Sequence, residues 1–360
     1  MAITTVDDLR SHVALATRVE LSTIPPYLYA MYSIKDQQSV SARLIASVVV
    51  EEMLHACLTT NLLLAIGGEP EFGYDIIASY PSLLAHHTPE LLLELKACTP
   101  ALVRETFMAI ESPRAPGAAP EDDIYETLGQ FYAALEQALD NLNDTSDLFG
   151  NHQPERQLSD PAFYAPVAYD AEDSGGLTLI HDRMSADQAL EIIIHQGEGL
   201  STERWADPDH QELTHYYKFE LIADGTAPIG PVWPVLDNPR TADFPERLWG
   251  VSTLFNAFYG LIYITMRDLY SGAQAQRAAV DRLYALMSDC LAPTAQYLAR
   301  QPVTDDRTAG ATFEVYQFEA DPWIETIGLA ETVSKDHHEL EEVASRISGF
   351  VVASGPGTGS

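Results

Sequence analysis

The residues of this chain best suited to chemistry are carboxylates and histidines set into apolar, helix-length runs. The stretch "VVVEEMLHACLTTN", Val48 to Asn61, carries Glu51, Glu52 and His55 where a buried helix is expected. A buried charge without a partner is strongly unfavourable, so these groups require a salt bridge, a hydrogen-bond network or a metal. Successive helical residues are rotated by about 100°, so positions i, i+3, i+4 and i+7 share a face. Glu52 and His55 fall within the stripe Leu44, Val48, Leu62 and Ile66, with Glu51 at its edge. This Glu-x-x-His spacing brings a carboxylate and an imidazole to one point, as in the carboxylate metal sites of four-helix bundles. Upstream, Glu20 interrupts the stripe Val13, Ala16, Ile24, Tyr27 and Met31. Downstream, Glu191, His195 and Glu198 follow one another at i, i+4 and i+7, with Gly197 and Gly199 beside them. Glu126 shares a face with Gly129, Gln130 and Ala133, away from the apolar stripe Ile124, Leu128, Phe131, Leu135 and Leu139, and is an interior ligand only if further helices cover it.

Each group alone has an ordinary explanation. Glu20 could pair with Arg18 or Arg43, His195 could be a hydrogen-bonded core histidine, and a single Glu-x-x-His arises by accident. The conjunction of all of them on four helices favours a metal. Oxygen donors with a few imidazoles and no thiolate suit iron, with manganese as the alternative, better than structural zinc. The inventory of carboxylates suffices for two ions.

The elements that must position these groups are helices. Thr5 with Asp8 offers a cap to a first helix ending near Ser33, and a second runs from about Ser39 to the stop at Gly67 and Gly68. A long crossover follows, with a helical piece around Leu91 to Ile110 and the linker "SPRAPGAAP". The third helix is read from "EDDIYETLGQFYAALEQALDNL", and the fourth from a capping box of Ser185 with Gln188. Beyond a proline-rich connector, "LFNAFYGLIYITMRDLY", "AAVDRLYALMSDCLAPTAQYLA" and "WIETIGLAETVSKDHHELEEVASRI" read as three more helices. No β-strand pattern stands out. The fold class is all-α, a four-helix bundle with a long crossover elaborated by C-terminal helices. The expected units are a metal-binding bundle over 1–220, a helical extension packed on it over 221–350, and a disordered tail over 351–360.

Composition narrows the partners. With 53 acidic against 20 basic residues the net charge is −33, which opposes binding to nucleic acid or an anionic membrane surface, since both need a basic footprint. Three scattered cysteines, Cys57, Cys98 and Cys290, make no disulfide framework. The N-terminus has no signal-peptide pattern and the longest apolar window, "LFNAFYGLIYITM", is short for a bilayer span, so a soluble, cytoplasmic protein is expected.

Several stretches are similar to a known family: "VELSTIPPYLYAMYSI", "EEMLHACLTTNLLLAIGGEP", "SYPSLL", "FMAIESP", "YETLGQFYAAL", "IIIHQGEG", "HYYKF", and "LMSDCLAPTAQYLA" with "GATFE". They resemble the ferritin-like domain family of bacterial iminophenyl-pyruvate dimer synthases, the group containing the imine-coupling enzyme of violacein biosynthesis. The resemblance spans most of the chain, and "HQGEG" with "HYYKF" is its most specific part. It implies metal contacts at Glu20, Glu52, His55 and Glu198, and adds His215 of "HYYKF", so that His195 and His215 compete to complete the site. The family pattern often has a carboxylate where this chain has Gln130, which leaves Glu126 as its substitute or the site one ligand short.

Such a site implies an O₂-dependent non-haem oxidase or oxygenase, with two iron ions, acting on a small molecule. The resemblance suggests an amino-acid-derived imine or keto acid, with oxidative imine coupling in specialised metabolism. Tyr27, Tyr29 and Tyr32, and Tyr216, Tyr217 and Phe219, flank ligand positions and could meet an aromatic substrate, though core packing is the simpler role for each. Arg18, Arg43 or Arg204 could hold a substrate carboxylate. The partners expected are the substrate and O₂, with a homo-oligomer left open. An iron-storing ferroxidase and a metal-free helical scaffold are the alternatives. The members of the named group are much longer chains, so the coupling itself belongs to the resemblance.

Overall fold

Thr5 starts the first helix in a closed capping box: its hydroxyl accepts the Asp8 N–H at 3.1 Å while Asp8 accepts the Thr5 N–H at 3.0 Å. From there α1 runs over Val6–Ser33 with Pro25 and Pro26 inside it. Ser39 caps α2 (Val40–Ala65), which ends where Gly67 adopts φ +73° and the N–H groups of Gly67 and Gly68 close back on Leu64 and Leu63. A side chain is disfavoured at that left-handed position, which is why a glycine marks the stop. The structure is a computed structural model that describes residues 3–115, 117–164, 175–197 and 213–353.

The crossover contains the only sheet among the described residues, an antiparallel pair of β1 (Ser82–Leu83) and β2 (Leu92–Leu93). The helical piece expected from Leu91 therefore starts later. α3 occupies residues 100–110 behind the cap Thr99 and Pro100, with a π-helical middle at Val103–Phe107. α4 (Leu128–Asn143) also begins later than the sequence suggested, because Thr127 is the residue whose hydroxyl accepts a first-turn N–H, that of Gln130. α5 (Arg183–Gly197) starts at Asp182, which accepts the Ser185 N–H at 2.8 Å, so Ser185 lies inside the helix and does not cap it. α6 spans His215–Ala223.

Four further helices follow: α7 (Trp249–Leu269), α8 over residues 273–300 with a π-helical turn at Leu286–Leu291, α9 (Pro322–Asp336) and α10 (Glu341–Ala353). The final run was expected as one helix. It divides at His337, whose ring is held between Tyr297 Oη at 2.7 Å and the Arg247 carbonyl at 3.0 Å. Of the expected tail, residues 354–360 lie outside the described residues.

α1 pairs along its length with α2, α4 lies on α1, and α5 lies on both α2 and α4, closing a four-helix bundle. α3 and α6 pack on each other, and α6 on α2. The core has two parts. One fills the bundle with Val13, Leu58, Phe131, Leu135 and Ile193. The larger joins other faces of α1 and α2, through Tyr32 and Val49, to Phe255 and Phe258 of α7 and Leu283 and Leu298 of α8. Two helical stretches, Val40–Ala65 and Glu246–Leu269, are long and apolar enough by length and composition to cross a membrane, and both are largely buried within the fold.

Candidate metal centre

Glu20 of α1, Glu52 and His55 of α2, Glu111 at the end of α3 and His215 at the start of α6 converge in the interior, all nearly inaccessible to water. Each carboxylate divides its two oxygens between two tasks. Glu20 accepts the Tyr132 hydroxyl of α4 on one oxygen and directs the other to His55 Nδ1 at 3.5 Å. Glu52 accepts the Thr23 hydroxyl at 3.0 Å on Oε2, while its Oε1 lies 2.9 Å from His215 Nδ1 and 3.9 Å from His55 Nδ1. Glu111 accepts the Tyr27 hydroxyl at 2.6 Å on Oε1 and turns Oε2 to His215 Nδ1 at 3.3 Å.

The histidines divide their nitrogens in the same way. Both present Nδ1 to the carboxylates, and their rings stack with centroids 5.3 Å apart. His55 Nε2 donates to Gln196 Oε1 of α5 at 2.9 Å, and His215 Nε2 donates to Glu51 Oε2 at 2.9 Å. Glu51 in turn is paired with the buried Lys218, one turn beyond His215. Five donor atoms, three oxygens and two nitrogens, thus lie together, with Glu20 beside His55, Glu111 beside His215 and Glu52 between the histidines. At a metal–ligand bond length of about 2.1 Å, neighbouring ligands at right angles stand about 3 Å apart. The separations of 2.9 and 3.3 Å about His215 are close to that spacing, and those of 3.5 and 3.9 Å about His55 are wider. The ligand atoms of Glu52, His55 and His215 all lie within 4.8 Å of one another, and a cavity of about 20 Å³ touches Glu20, Glu52, His55 and Glu111. That exceeds the ~10–15 Å³ of one water-sized sphere. The donor set of carboxylates and imidazole Nδ1 atoms, with each Nε2–H held by an acceptor, fits an iron or manganese site.

The same groups set the local electrostatics. Burial, with the Glu111 and Glu20 carboxylates beside it, holds Glu52 well above the usual carboxylate range. Burial also acts to raise Glu20, but the hydrogen bond and charge of His55 outweigh it and lower the group. Burial acts to lower His215, yet Glu111, Glu51 and Glu52 raise it well above the ordinary histidine value. Glu51 is lowered to about 2, because Lys218 and His215 overcome the effect of burial.

Of the residues expected to bind metal, Glu20, Glu52, His55 and His215 are brought together. Glu126, Glu191 and His195 are not. Glu126 is exposed because it precedes the Thr127 cap and so belongs to no helix face. On α5 the buried stripe is Ala186, Ala189, Leu190, Ile193 and Gln196, which leaves Glu191 exposed and His195 half-buried outside the cluster. Their shared spacing was real, but it lies on the wrong side of the helix. His215, not His195, reaches the site, and Glu198 lies outside the described residues. Gln130 is buried away from the cluster, binding the Ala119 carbonyl at 3.1 Å and accepting the Thr127 hydroxyl at 3.1 Å. The suggested pairing of Glu20 with an arginine is not formed, and Arg18 bonds Glu71 at 3.3 Å. Among the flanking aromatics, Tyr27 bonds the cluster and also packs against Phe107 and Phe219, while Tyr29 bonds the Leu236 carbonyl.

Glu111, Gln196 and Lys218 were not assigned from sequence. Glu111 stands in "FMAIESP", and an acid closing an apolar turn before a proline was its available signal. Gln196 and Lys218 sit in "HQGEG" and "HYYKF", but an amide and an amine are not ligand types and their roles depend on partners distant in sequence.

Comparison with known proteins agrees with this architecture. A family model described as ferritin-like matches residues 13–224. The chain is 24% identical over 349 residues to a 2-imino-3-(indol-3-yl)propanoate dimerase of Chromobacterium violaceum, covering 84% of this chain and 33% of that enzyme. The chain thus spans about a third of the length of that curated relative. The crystal structure of a ferritin-like protein from Caulobacter vibrioides superimposes with a TM-score of 0.56 at 24% identity, over 79% of this chain and 94% of that one.

Proposed function

Because the chain belongs to the ferritin-like family, we propose that it is an O₂-dependent di-iron oxidase or oxygenase acting on a small amino-acid-derived imine. The observation that carries this reading is the division of labour at the cluster: every carboxylate keeps one oxygen, and each histidine keeps Nδ1, for a common centre. In this reading Glu20, Glu52, Glu111, His55 and His215 hold the metal, with Glu52 between the two histidines. Two adjacent iron ions, when bound, would relay electrons in pairs from the substrate to dioxygen.

The chain's own residues perform the rest. Glu51 and Gln196 accept the two Nε2–H groups, which fixes the tautomer and leaves each Nδ1 free to bind. Tyr132, Thr23 and Tyr27 hold the carboxylates in one rotamer, and burial excludes water from the centre. The imine is suggested by the relative whose name states that it dimerises 2-imino-3-(indol-3-yl)propanoate. Coupling of two such imines releases two electrons and two protons, which dioxygen takes up.

The test is anaerobic Fe(II) loading followed by admission of O₂ with the imine formed from tryptophan. About two irons per chain, with O₂ consumption that depends on the imine, are expected. Glu52→Gln should lose the iron, yet keep or raise the melting temperature of the metal-free protein, since it removes a crowded acid from the core. No iron uptake, or a single tightly held zinc, would overturn the reading.

A further inference from the structure

α7 and α8, with faces of α1 and α2 that the carboxylate cluster does not use, line a second cavity of about 100 Å³. On α1, Glu20, Thr23 and Tyr27 turn to the cluster, whereas Leu21, Ile24 and Leu28, about 100° round the helix, line this cavity. On α2, Glu52 and His55 face the cluster, and Val49 and Met53 face the cavity. Apart from Phe163, the remaining described wall belongs to helices beyond the family match at 13–224.

The chemistry of the wall selects the ligand. Among the described residues, no charged side chain lines it. The hydroxyls of Tyr259 and Tyr263 bond each other at 3.1 Å, and burial keeps the Cys57 thiol neutral, pushed up to about 12. A ligand that needs a counter-charge gains nothing there. In size the cavity is of the order of the ~150 Å³ apolar cavity that stays dry and admits benzene. Met53, Met266 and Met287 on its wall are flexible and polarisable, suited to the faces and edges of aromatic rings.

We propose that this cavity is a binding site for a small neutral aromatic molecule of one ring, separate from the metal centre and independent of metal. The probe is benzene, added to metal-free protein carrying ¹³C-methyl methionine. Of the seven methionines, the methyl signals of Met53, Met266 and Met287 are expected to move saturably, while those of Met31, Met108 and Met184 stay in place. At a free benzene concentration ten times its dissociation constant, the unfolding equilibrium constant should fall about 11-fold. Val50→Phe, which places a ring in the cavity, should abolish both effects. Absence of shifts up to the solubility of benzene, shifts that never saturate, or shifts that persist in a folded Val50→Phe protein would overturn the proposal. Should that variant not fold, Leu283→Ala, which widens the cavity, must still show saturable shifts of the same three methyls and must respond to the two-ring probe indole; no response overturns it. Because neither iron nor O₂ enters the experiment, its outcome is distinct from that of iron loading.

Discussion

At the residue scale, the groups behind the ligands decide how well the ligands are placed. His55 would lose its Nε2 acceptor in Gln196→Leu, freeing its ring to rotate and change tautomer, and removal of such a partner typically lowers metal affinity 10–100-fold. A chelator-competition titration should show that loss, with Gln196→Glu restoring affinity; an unchanged affinity would mean that the ring is held by packing alone. Lys218 acts one step further out. It keeps Glu51 ionised at about 2 despite burial, so this carboxylate contributes stability above its unfolded value near 4.3 and loses the contribution as pH falls through the folded value. Lys218→Met should cost about 3–5 kcal/mol at neutral pH, the cost of leaving one member of a buried pair uncompensated. It should also move acid unfolding of the metal-free protein to higher pH in denaturation curves. His215 has the opposite sign. Its raised value stabilises the metal-free fold below about 6.5, and that contribution fades as pH rises through the folded value. Glu52 and His55 were legible because a charge inside an apolar stripe must be compensated, whereas Glu111 was not, because its partners Tyr27 and His215 lie 84 and 104 residues away.

At the scale of elements, α1 carries a site residue just before an interruption of its own ladder. Pro26 has no N–H to give the carbonyl of Ser22, and the freed acceptor is taken by the Tyr80 hydroxyl of the crossover at 2.7 Å. The segment between Glu20 and Tyr27, which serves both Glu20 and Glu111, is thereby tied to the crossover. Tyr80→Phe should leave the carbonyl unsatisfied and destabilise the protein by about 1–3 kcal/mol. Urea unfolding would measure this, and a change below a few tenths of a kcal/mol would show that water replaces the hydroxyl. The cap of α1 was legible, since Thr5 and Asp8 act through side chains adjacent in sequence, and α2 begins near the expected Ser39, whereas the cap expected of Ser185 belongs to Asp182. Helix phase was less legible. Glu191 and His195 formed a convincing row, but which side of α5 is buried depends on where α2 and α4 lie, and that information resides in other segments. Likewise, only the fold shows that Thr127, one residue past Glu126, is where α4 begins.

At the scale of the whole molecule, the sequence conveyed four helices, a crossover and further helices beyond residue 220, but not how much core the two parts share. Periodicity reports that a helix has an apolar face, not that it has two. α1 and α2 each have one face toward α4 and α5 and another, with Tyr32, Val49 and Cys57, toward α7 and α8. The connector reinforces this junction, since Lys35 N–H bonds the Pro231 carbonyl at 2.9 Å and Trp233 N–H bonds the Ser33 carbonyl at 2.7 Å. A chain cut at residue 224, the end of the family match, would leave the faces of both central helices that pack on α7 and α8 in water. The burial of each fully covered large apolar side chain is worth about 1.5–3 kcal/mol, and a domain's whole margin is only about 5–15 kcal/mol, so loss of several such contacts exceeds it. The full chain should therefore melt in one calorimetric transition whose measured and van't Hoff enthalpies agree, and the truncated chain should be insoluble or lack near-ultraviolet circular dichroism. If residues 1–224 instead gave a native near-ultraviolet spectrum and took up iron as the full chain does, the C-terminal helices would be an appendage, and the core they share with α1 and α2 would contribute little to folding.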